Sequence, residues 1–330
     1  MNPGRRSVTR ADVARLAGVS PAVVSYVLTG SERPVSDAAR ARVVAAVDAL
    51  DYRPNAAARA LSRGRSSLIG FIVPDQRNPF FAGMVSLVDR AARTHGLTVL
   101  NLSAHERRSG VEEIEGLTAQ PLEGIISADV LTPQELRVIE RGRTPLVYLN
   151  QFRAQPGHPT LGTDYVAAAR LATEHLLALG HRRMAFVGSA SRVDPREAGW
   201  RRALGDAGVP AGPVFHSEWS LEGGYQAGLR LAERRDEITA VFVASDQIAT
   251  GAMAALHSRG VGIPDDISVV GFDGTPEAAY TWPALTSVTQ SIEEMTHDAV
   301  ALLAAGELEP EFRDYPGTLV VRGSTAPPHA

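Results

Sequence analysis

Polar and aromatic side chains follow several apolar, strand-like stretches of this 330-residue chain. An arginine donates hydrogen bonds in a fixed fork, carboxylates accept them from hydroxyls, and flat aromatic rings cover an apolar face. Together, these residue types suit a ligand ring that carries many hydroxyl groups. The residues of this kind are Asp75, Asn78, Phe80, Asn150, Arg196, Trp219, Asp246 and Asp273.

Each of these residues also has a purely structural interpretation. An aspartate that follows a strand, such as Asp246, often caps the next helix. Asp75 suits a turn, Trp219 suits ordinary packing, and Arg196 suits an exposed surface. Ligands of parallel sheets bind beyond the carboxyl ends of the strands. Because the whole set lies at such ends, we interpret it as a binding site.

The elements that must position this set alternate along the chain. Apolar stretches separated by helical stretches are typical of parallel sheets that are covered on both faces. The number of crossovers exceeds what one doubly wound sheet holds, so the sequence predicts an α/β fold of two such subdomains with a cleft between them. The predicted strands include residues 68–73, 97–102, 125–126, 146–149, 184–187, 214–216, 241–243 and 267–270.

The first 66 residues differ from the rest of the chain in charge. They hold 11 arginines and 5 carboxylates, whereas residues 67–330 hold 22 arginines and 32 carboxylates. A basic segment on an acidic body indicates a polyanionic partner such as nucleic acid. The alternative is a solvated charge bias, which short segments often show.

Helix start and stop signals are dense in the same segment. Thr9 suits the first position of a capping box, Gly18 suits a left-handed C-cap, and Ser20 with Pro21 suits the start of a second helix. A third helix is predicted over residues 37–50. Two short helices joined by a glycine turn predict a helix-turn-helix, whose second helix enters the major groove of DNA.

The second helix of such a unit presents its first residues to base edges and phosphates. A three-helix bundle that binds protein is the alternative for the same pattern. The candidate DNA-contacting residues on this face are Ser20, Pro21, Ala22, Ser25 and Tyr26.

Several stretches closely resemble the lac repressor and galactose repressor family of bacterial transcription regulators. Residues 8–20, VTRADVARLAGVS, resemble the family's headpiece, as do residues 24–25 and 33–36, and residues 52–61, YRPNAAARAL, resemble its hinge. Val23 and Tyr26 depart from the residues common at their positions, so the operator sequence does not transfer from better-known members. The resemblance implies further DNA contacts by Thr9, Val23, Asn55, Ala58, Arg59 and Leu61.

The hinge has its own physical chemistry. Residues 56–61 are too few to form a stable helix alone in water, so their order depends on a partner. The resemblance implies that two such helices pair across a dimer axis and insert Leu61 into a minor-groove step. Without DNA, the same residues predict a flexible linker.

The resemblance, which continues to about Gly323, also implies domain boundaries and effector positions. The chain would cross between the subdomains near Gly162, Ser291 and Leu319. The implied effector positions are Arg196, Trp219, Asp246, Asp273 and Gln290, and Ser245 departs from the asparagine of some lactose-type members. The implied units are a headpiece (1–54), a hinge (55–66), the two halves of a periplasmic-binding-protein-like core (67–161 with 291–318, and 162–290 with 319–323), and a disordered tail (324–330).

The composition excludes several kinds of chemistry. The chain has no cysteine, and all 33 basic residues are arginine, which excludes disulfides, thiolate metal sites, a phosphate-loop lysine and a Schiff base. We find no catalytic, metal-binding or dinucleotide motif, so we expect no catalytic residue, no metal and no cofactor. In a glycosidase, Asp246 and Asp273 would be the candidate carboxylate pair.

The sequence therefore predicts a cytoplasmic, homodimeric DNA-binding regulator. We expect it to repress a carbohydrate-utilisation operon and to leave a pseudo-palindromic operator when a sugar binds in the cleft. The alternatives are a repressor that needs a purine-type corepressor, an exported sugar-binding protein and a glycosidase. The basic head disfavours the last two, and the chain shows no export signal and no stretch long enough to span a membrane.

Overall fold

The computed structural model describes residues 8–29, 33–52, 66–104, 110–189 and 194–329. The chain divides into two compact units, Met1–Ser66 and Ser67–Ala330. Each unit buries its own hydrophobic core.

The described part of the small unit contains three helices, α1 (Arg10–Ala17), α2 (Pro21–Thr29) and α3 (Asp37–Ala49). Thr9 caps α1 through the predicted capping box, and Gly18 ends it with a φ of 63°. The predicted helix-turn-helix is confirmed. Its buried side chains are Val13, Ala14, Ala17, Val24, Val43 and Ala46.

The first subdomain of the large unit is built on a six-stranded parallel sheet. Its strands are β1 (Leu68–Val73), β2 (Thr98–Ser103), β3 (Leu122–Ser127), β4 (Leu146–Gln151), β5 (Thr160–Thr163) and β11 (Phe312–Tyr315). They pair in the order β11-β5-β4-β3-β1-β2. Helices α4 (Pro79–Thr94) and α11 (Ile292–Ala305) pack on one face, and α5 (Gly110–Thr118) and α6 (Pro133–Arg141) pack on the other.

The second subdomain repeats this layered plan. Its strands are β6 (Met184–Ser189), β7 (Val214–Ser217), β8 (Ala240–Val243), β9 (Ser268–Asp273), β10 (Thr286–Gln290) and β12 (Gly317–Val320). They pair in the order β12-β10-β9-β8-β6-β7, and β12 runs antiparallel to β10. Helices α7 (Tyr165–Ala178) and α8 (Pro195–Asp206) cover one face, and α9 (Leu221–Glu233) and α10 (Asp246–Ser258) cover the other.

The strands read as continuous apolar stretches because both faces of each sheet are buried. In β1, Ile69 and Phe71 belong to the cluster under α4, whereas Ile72 belongs to the cluster on the opposite face. This alternation follows from the two-residue repeat of a strand. Both sheets point the carboxyl ends of their central strands towards loops that lead directly into helices.

The chain passes between the two sheets three times. The passages lie at Asp164 between β5 and α7, at Ser291 between β10 and α11, and at Pro316 between β11 and β12. The family resemblance had implied positions near Gly162, Ser291 and Leu319. The last passage comes earlier than expected because β12 already begins at Gly317 and pairs with β10 from there.

The end of the chain corrects one expectation. Residues 324–330 were expected to be disordered, but Ser324 is fully buried. Its Oγ donates to Val269 O at 2.6 Å and accepts from Thr286 N at 2.8 Å. Ala326 O lies 2.9 Å from Nε2 of His181. Residues 324–326 therefore form part of the second subdomain.

Within the described ranges, no single helix is long and apolar enough to span a membrane. The one bent helix pair that meets the length and composition requirement is α1 with α2.

Candidate functional site: an interlobe cavity and a helix-turn-helix

A cavity of about 920 Å³ lies between the two subdomains of the large unit. It opens at the carboxyl ends of the strands, where the sequence placed the candidate residues. Of these, the structure brings Asp75, Asn78, Phe80, Asn150, Arg196, Trp219 and Asp273 together in the lining. The other lining residues are Pro74, Arg77, Phe81, Ala128, Asp129, Val130, Gln151, Phe152, Tyr165, Glu218, Ser220, Leu221, Glu222 and Gln247.

Asn78 and Phe80 are held by the start of α4. Asn78 is the N-cap residue, its Oδ1 accepts from Phe80 N at 3.0 Å, and Pro79 occupies the first helical position. This arrangement satisfies the helix terminus and fixes both side chains, which are 6% and 7% exposed. The Nδ2 group of Asn78 remains as a donor at the cavity wall.

Asn150 and Tyr165 connect the two subdomains at the wall. Asn150 adopts a left-handed φ of 57°, and its Oδ1 accepts from the hydroxyl of Tyr165 at 3.0 Å. Burial raises the pKa of Tyr165 to about 12, so the phenol stays neutral and remains a donor at physiological pH. Its ring also lies 6.3 Å from that of Phe152.

Arg196 reaches the cavity from the first turn of α8 in a fixed orientation. Its Nε donates to Asp194 Oδ1 at 2.9 Å, and its Nη1 donates to Ala244 O at 3.0 Å. Its Cζ lies 4.7 Å from the ring of Trp219 and 5.0 Å from that of Tyr165. Burial opposes the charge, but Asp194, Tyr165 and Asp273 together outweigh it and raise the pKa of Arg196. The guanidinium is therefore a permanent, oriented donor.

Trp219 lies in a tight turn between β7 and α9. Ser220 caps α9 by accepting from Gly223 N at 2.9 Å. A Cβ at Gly223 would lie 2.5 Å from Glu218 O, so only glycine fits there without a shift. The turn presents the indole ring, 40% exposed, beside Arg196.

Asp273 ends β9 with a φ of 114°, which is rare for a residue with a side chain. Its Oδ1 accepts from Gln290 Nε2 at 3.0 Å, and Gln290 Oε1 accepts from Thr163 Oγ1 at 2.9 Å. Burial, reinforced by the nearby Asp246 carboxylate, raises the pKa of Asp273 well above its ordinary value. The chain of hydrogen bonds fixes the carboxyl group at the wall.

Asp246 and Gln290 are not brought into the cavity lining. Asp246 is 1% exposed, its Oδ2 accepts from Thr275 N at 2.7 Å, and its Oδ1 accepts from Ser287 Oγ at 2.6 Å. Burial raises its pKa to about 6. Both carboxylate oxygens are thus used inside the second subdomain. Gln290 stands behind Asp273 and supports it.

Several lining residues were missed by sequence reasoning. Asp129 follows β3 just as Asp75 follows β1, so the strand-end rule could have found it. Phe81 and Phe152 adjoin predicted residues, whereas nothing in the local pattern distinguishes Gln247 from an ordinary helix residue. Its side-chain oxygen is buried and has no hydrogen-bond partner among the described residues.

The lining is acidic. It contains five carboxylates, Asp75, Asp129, Glu218, Glu222 and Asp273, and two arginines, Arg77 and Arg196. Arg77 pairs with Asp75 at 2.9 Å and Arg196 pairs with Asp194 at 2.9 Å. Within the described residues, no group of three histidines, aspartates or glutamates could hold a metal ion.

The second candidate site is one face of α2 in the small unit. Ser20, Pro21 and Ala22 are exposed, whereas Val24 is buried against the other helices. Ser20 Oγ accepts from Val23 N at 3.3 Å and so caps α2. The partly exposed residues are Val23, Ser25 and Tyr26.

Tyr26 and Thr9 have partners within the unit. The hydroxyl of Tyr26 accepts from Arg33 Nη1 at 2.9 Å, and the same guanidinium lies 5.2 Å from its ring. Thr9 Oγ1 donates to Asp12 Oδ2 at 2.6 Å. The predicted hinge residues lie outside the described residues; they are Asn55, Ala58, Arg59 and Leu61.

Comparisons with known proteins fit both sites. A model of bacterial regulatory proteins of the lacI family matches residues 9–55, and a periplasmic binding protein-like domain matches residues 173–325. The HTH-type transcriptional regulator GalS of Salmonella typhimurium is 38% identical over 312 residues, which cover 92% of each chain. This chain belongs to the LacI family.

Other members agree over nearly the full length. GalR of Escherichia coli is 33% identical, covering 96% of this chain and 95% of that protein. A crystal structure of the lac repressor dimer bound to operator and the anti-inducer ONPF superposes with a TM-score of 0.85 at 30% identity, covering 97% of this LacI-family chain and 100% of that one. The chain is thus a DNA-binding transcriptional regulator with a periplasmic-binding-protein-like core.

Proposed function

We propose that this regulator is a homodimeric, cytoplasmic repressor that leaves its operator when a sugar or related polyol occupies the interlobe cavity. The observation that carries the proposal is the cavity wall. It combines a fixed guanidinium at Arg196, a buried carboxyl group at Asp273 and the aromatic face of Trp219. These groups match vicinal hydroxyls and the apolar face of a sugar ring.

Unused hydrogen-bonding capacity at the wall supports a hydroxyl-rich ligand. Gln247 Oε1 is buried without a partner among the described residues, and a ligand hydroxyl would satisfy it. Asn78 and Asn150 each use Oδ1 within the protein, which leaves their Nδ2 groups as donors. The wall therefore offers both donors and acceptors, as the hydroxyls of a polyol require.

The proposed DNA contacts use the exposed face of α2 and the hinge. Two copies of α2 in a dimer would read the two halves of a roughly palindromic operator. The residues assigned to this interface are Thr9, Ser20, Pro21, Ala22, Val23, Ser25 and Tyr26, with Asn55, Ala58, Arg59 and Leu61 from the hinge.

We propose that effector binding is coupled to operator affinity through the relative arrangement of the two subdomains of the core. A ligand that touches both subdomains favours the arrangement in which both walls reach it, and it shifts the equilibrium only by its differential affinity. A shift from 1:99 to 99:1 requires about 5.5 kcal/mol of such differential binding. Wall residues from both subdomains, such as Asn78 and Arg196, can supply it.

A binding role rather than a catalytic one is proposed for the cavity. The curated relatives are regulators. Asp246, one member of the candidate glycosidase pair, has both oxygens bonded to Thr275 and Ser287 outside the lining. We expect no hydrolysis when the purified protein is incubated with a panel of glycosides.

The proposal is tested by operator binding in the presence of candidate effectors. An operator is first obtained by in vitro selection from random duplexes, and fluorescence anisotropy then measures its Kd while sugars and nucleobases are titrated. We expect at least one sugar to raise the Kd by about tenfold or more. Tightening by a purine base would support the corepressor alternative instead, and an operator affinity that no sugar alters would contradict the proposal.

A further inference from the structure

Tyr26 is the largest side chain on the outer face of α2. It lies two residues after Val24, which is fully buried in the core of the small unit. Because an α-helix turns by about 100° per residue, Tyr26 points nearly opposite to Val24 and shares its face with Ala22 and Ser25. Tyr26 is partly exposed there. Of the side chains on this face, it therefore reaches furthest from the helix.

Arg33 holds Tyr26 in two ways. Its Nη1 donates to the hydroxyl oxygen of Tyr26 at 2.9 Å, and its Cζ lies 5.2 Å from the centre of the ring. The hydrogen bond fixes the position of the oxygen, and the attraction between the cation and the ring favours one orientation of the ring. Both contacts must break before the phenol can turn away.

The backbone of Arg33 is itself restricted by the residue that follows it. Pro34 disfavours the helical conformation in the residue before it and keeps that residue extended. Arg33 accordingly lies in the connection between α2, which ends at Thr29, and α3, which begins at Asp37. The guanidinium is thus presented to Tyr26 from a stiff segment outside the helix-turn-helix.

The contact with Arg33 decides how the phenol can bond to DNA. A guanidinium only donates hydrogen bonds, so the oxygen of Tyr26 must be the acceptor. The structure shows no acceptor for the hydrogen of this hydroxyl within residues 8–29 and 33–52. A positively charged donor on the oxygen also polarises the O–H bond and strengthens its donation. Tyr26 is therefore prepared as a donor.

The bases differ in what they offer to a donor in the major groove. Guanine presents two acceptors, N7 and O6, side by side. Adenine has a donor next to its N7, thymine has a methyl group next to its O4, and cytosine presents only a donor. A hydroxyl that donates consequently matches guanine best.

We propose that Tyr26 reads a guanine in each operator half-site as a hydrogen-bond donor, and that Arg33 is the positioning residue that holds it in this role. This inference rests on the proposed function, since it takes α2 as the reading helix. It adds the chemistry of the base that is read and a residue that lies outside the helix.

The first experiment compares the unaltered full-length protein with Tyr26→Phe, which keeps the ring and removes the hydroxyl. Fluorescence anisotropy measures the Kd for an operator obtained by in vitro selection, and for variants in which each base pair is changed in both half-sites. We expect one G·C pair whose replacement by A·T weakens the unaltered protein by about tenfold and Tyr26→Phe hardly at all. Selectivity at the other base pairs should be the same in both proteins.

Two results of this experiment would overturn the inference. Tyr26→Phe could weaken binding to all operators by one common factor, which would show that the hydroxyl reads no base. Alternatively, the pair at which it removes selectivity could be A·T, which would show that the hydroxyl does not read guanine.

The second experiment tests the part played by Arg33 with a matched control. Arg33→Ala should remove the same tenfold preference, because Tyr26 is no longer held. Arg40→Ala removes another exposed arginine of the small unit, from α3. It should retain the preference, since a lost phosphate contact weakens binding to every operator alike. Loss of the preference in both variants would contradict a specific role for Arg33.

The double variant separates positioning from direct reading, because arginine itself commonly pairs with guanine. If Arg33 acts through Tyr26, adding Arg33→Ala to Tyr26→Phe should leave the selectivity at every base pair unchanged. A further loss of selectivity at any base pair would show that Arg33 reads a base directly and would refute its positioning role.

These outcomes are distinct from a failure of the proposed function. If an operator is selected and a sugar releases it, but Tyr26→Phe keeps full selectivity at every base pair, the proposed function stands and this inference fails. If the protein selects no operator from random duplexes, both fail.

Discussion

At the scale of single residues, Arg196 shows how the protein prepares a side chain before any ligand arrives. Two of its nitrogen atoms already donate to Asp194 and Ala244, and its flat face meets Trp219. A free arginine loses rotamer entropy when it is ordered by a ligand. Because this one is ordered in advance, less of the binding free energy is spent on it.

Replacing Arg196 with alanine should abolish the effector response and leave operator affinity in the absence of effector intact. The variant also leaves Asp194, which is 6% exposed, without its charge partner, so a lower melting temperature is expected. Operator anisotropy titrated with effector, recorded well below the melting transition, measures the response.

Arg201→Ala is the matched control because it removes an exposed arginine from the same helix, where it pairs with Glu197. Its dose–response curve should match that of the unaltered protein. A normal curve for Arg196→Ala would remove this residue from the site.

Asp246 illustrates a different use of a carboxyl group. Its two oxygens tie Thr275 and Ser287 to the start of α10, which fixes the turn that follows Asp273. We infer that it positions Asp273 without touching a ligand. Its burial has a thermodynamic consequence because the folded-state pKa of about 6 lies above the unfolded value of about 3.9.

Asp246→Asn should flatten the dependence of stability on pH. A raised folded-state pKa contributes stability that is present below about pH 4 and lost as the pH rises through about 6. The variant removes this contribution, so its unfolding free energy should fall less between pH 4 and 7. Asp273, whose pKa is also raised by burial, remains and keeps part of the slope.

Urea unfolding at several pH values across this window measures the effect, and Asp314→Asn on exposed β11 controls for the lost formal charge. If both variants showed the same dependence of unfolding free energy on pH as the unaltered protein, burial would not raise the pKa of Asp246.

At the scale of elements, the close approach of neighbouring strands constrains the passage between subdomains. β5 ends just before the chain leaves the first sheet at Asp164, and Gly162 lies against β4. A Cβ at Gly162 would come within 1.6 Å of Gln151 O. Only glycine allows β5 to pair there without displacing backbone.

Gly162→Ala should therefore destabilise the core by about 1–3 kcal/mol through overpacking. Gly116→Ala is the control because its Cβ would meet nothing within 4 Å and α5 gains a better helix former, worth about 0.5–1 kcal/mol. Thermal unfolding followed by circular dichroism should show the two variants moving in opposite directions. If Gly162→Ala left the melting temperature unchanged, β4 and β5 would be able to move apart at little cost in free energy.

The sequence predicted the main elements of both sheets because their central strands are uniformly apolar. β5, β10, β11 and β12 escaped prediction because they carry threonine, serine or arginine among their apolar residues, as in TSVTQ of β10. Such strands are specified by pairing partners elsewhere in the chain rather than by their own pattern. The third passage between subdomains was misplaced for the same reason.

The sequence predicted those site residues that directly follow an apolar strand, because ligands bind beyond the carboxyl ends of parallel strands. Asp246 and Asp273 both follow apolar strands, and the local sequence does not tell them apart. Asp273 ends its strand with its backbone in a rare conformation, whereas Asp246 comes after the cap residue Ser245 and so begins a helix. The direction of each carboxyl group is decided by tertiary partners, Ser287 and Gln290, from a strand that the sequence did not reveal.

At the scale of the whole molecule, charge is divided between the two units. The first 66 residues carry an excess of arginine over carboxylates, and the remainder carries the opposite excess. The basic unit attracts phosphates, while the acidic remainder keeps the core from adding non-specific DNA contacts.

Operator affinity should consequently depend steeply on salt. A dimer that makes about twelve phosphate contacts should show a slope of log K against log salt near −11, at about 0.9 per contact. Anisotropy titrations between 50 and 200 mM potassium chloride measure this slope. Over this salt range, proteins with fewer phosphate contacts typically lose a factor of about 10³–10⁵ in affinity. A Kd that does not depend on salt would contradict the prediction that the basic N-terminal unit binds DNA phosphates through its charge.

The three passages of the chain between its sheets also bear on how the protein is made. The first sheet is incomplete without β11, and the second is incomplete without β10 and β12. All three strands follow residue 285 and are therefore synthesised late. On the ribosome, the helix-turn-helix can fold as soon as it emerges, since domains form in order from the N-terminus. Neither subdomain of the large unit can complete its sheet until translation is almost finished. Termination of translation at any point between residues 285 and 311 would yield a folded DNA-binding head attached to a core whose sheets lack β11 and β12.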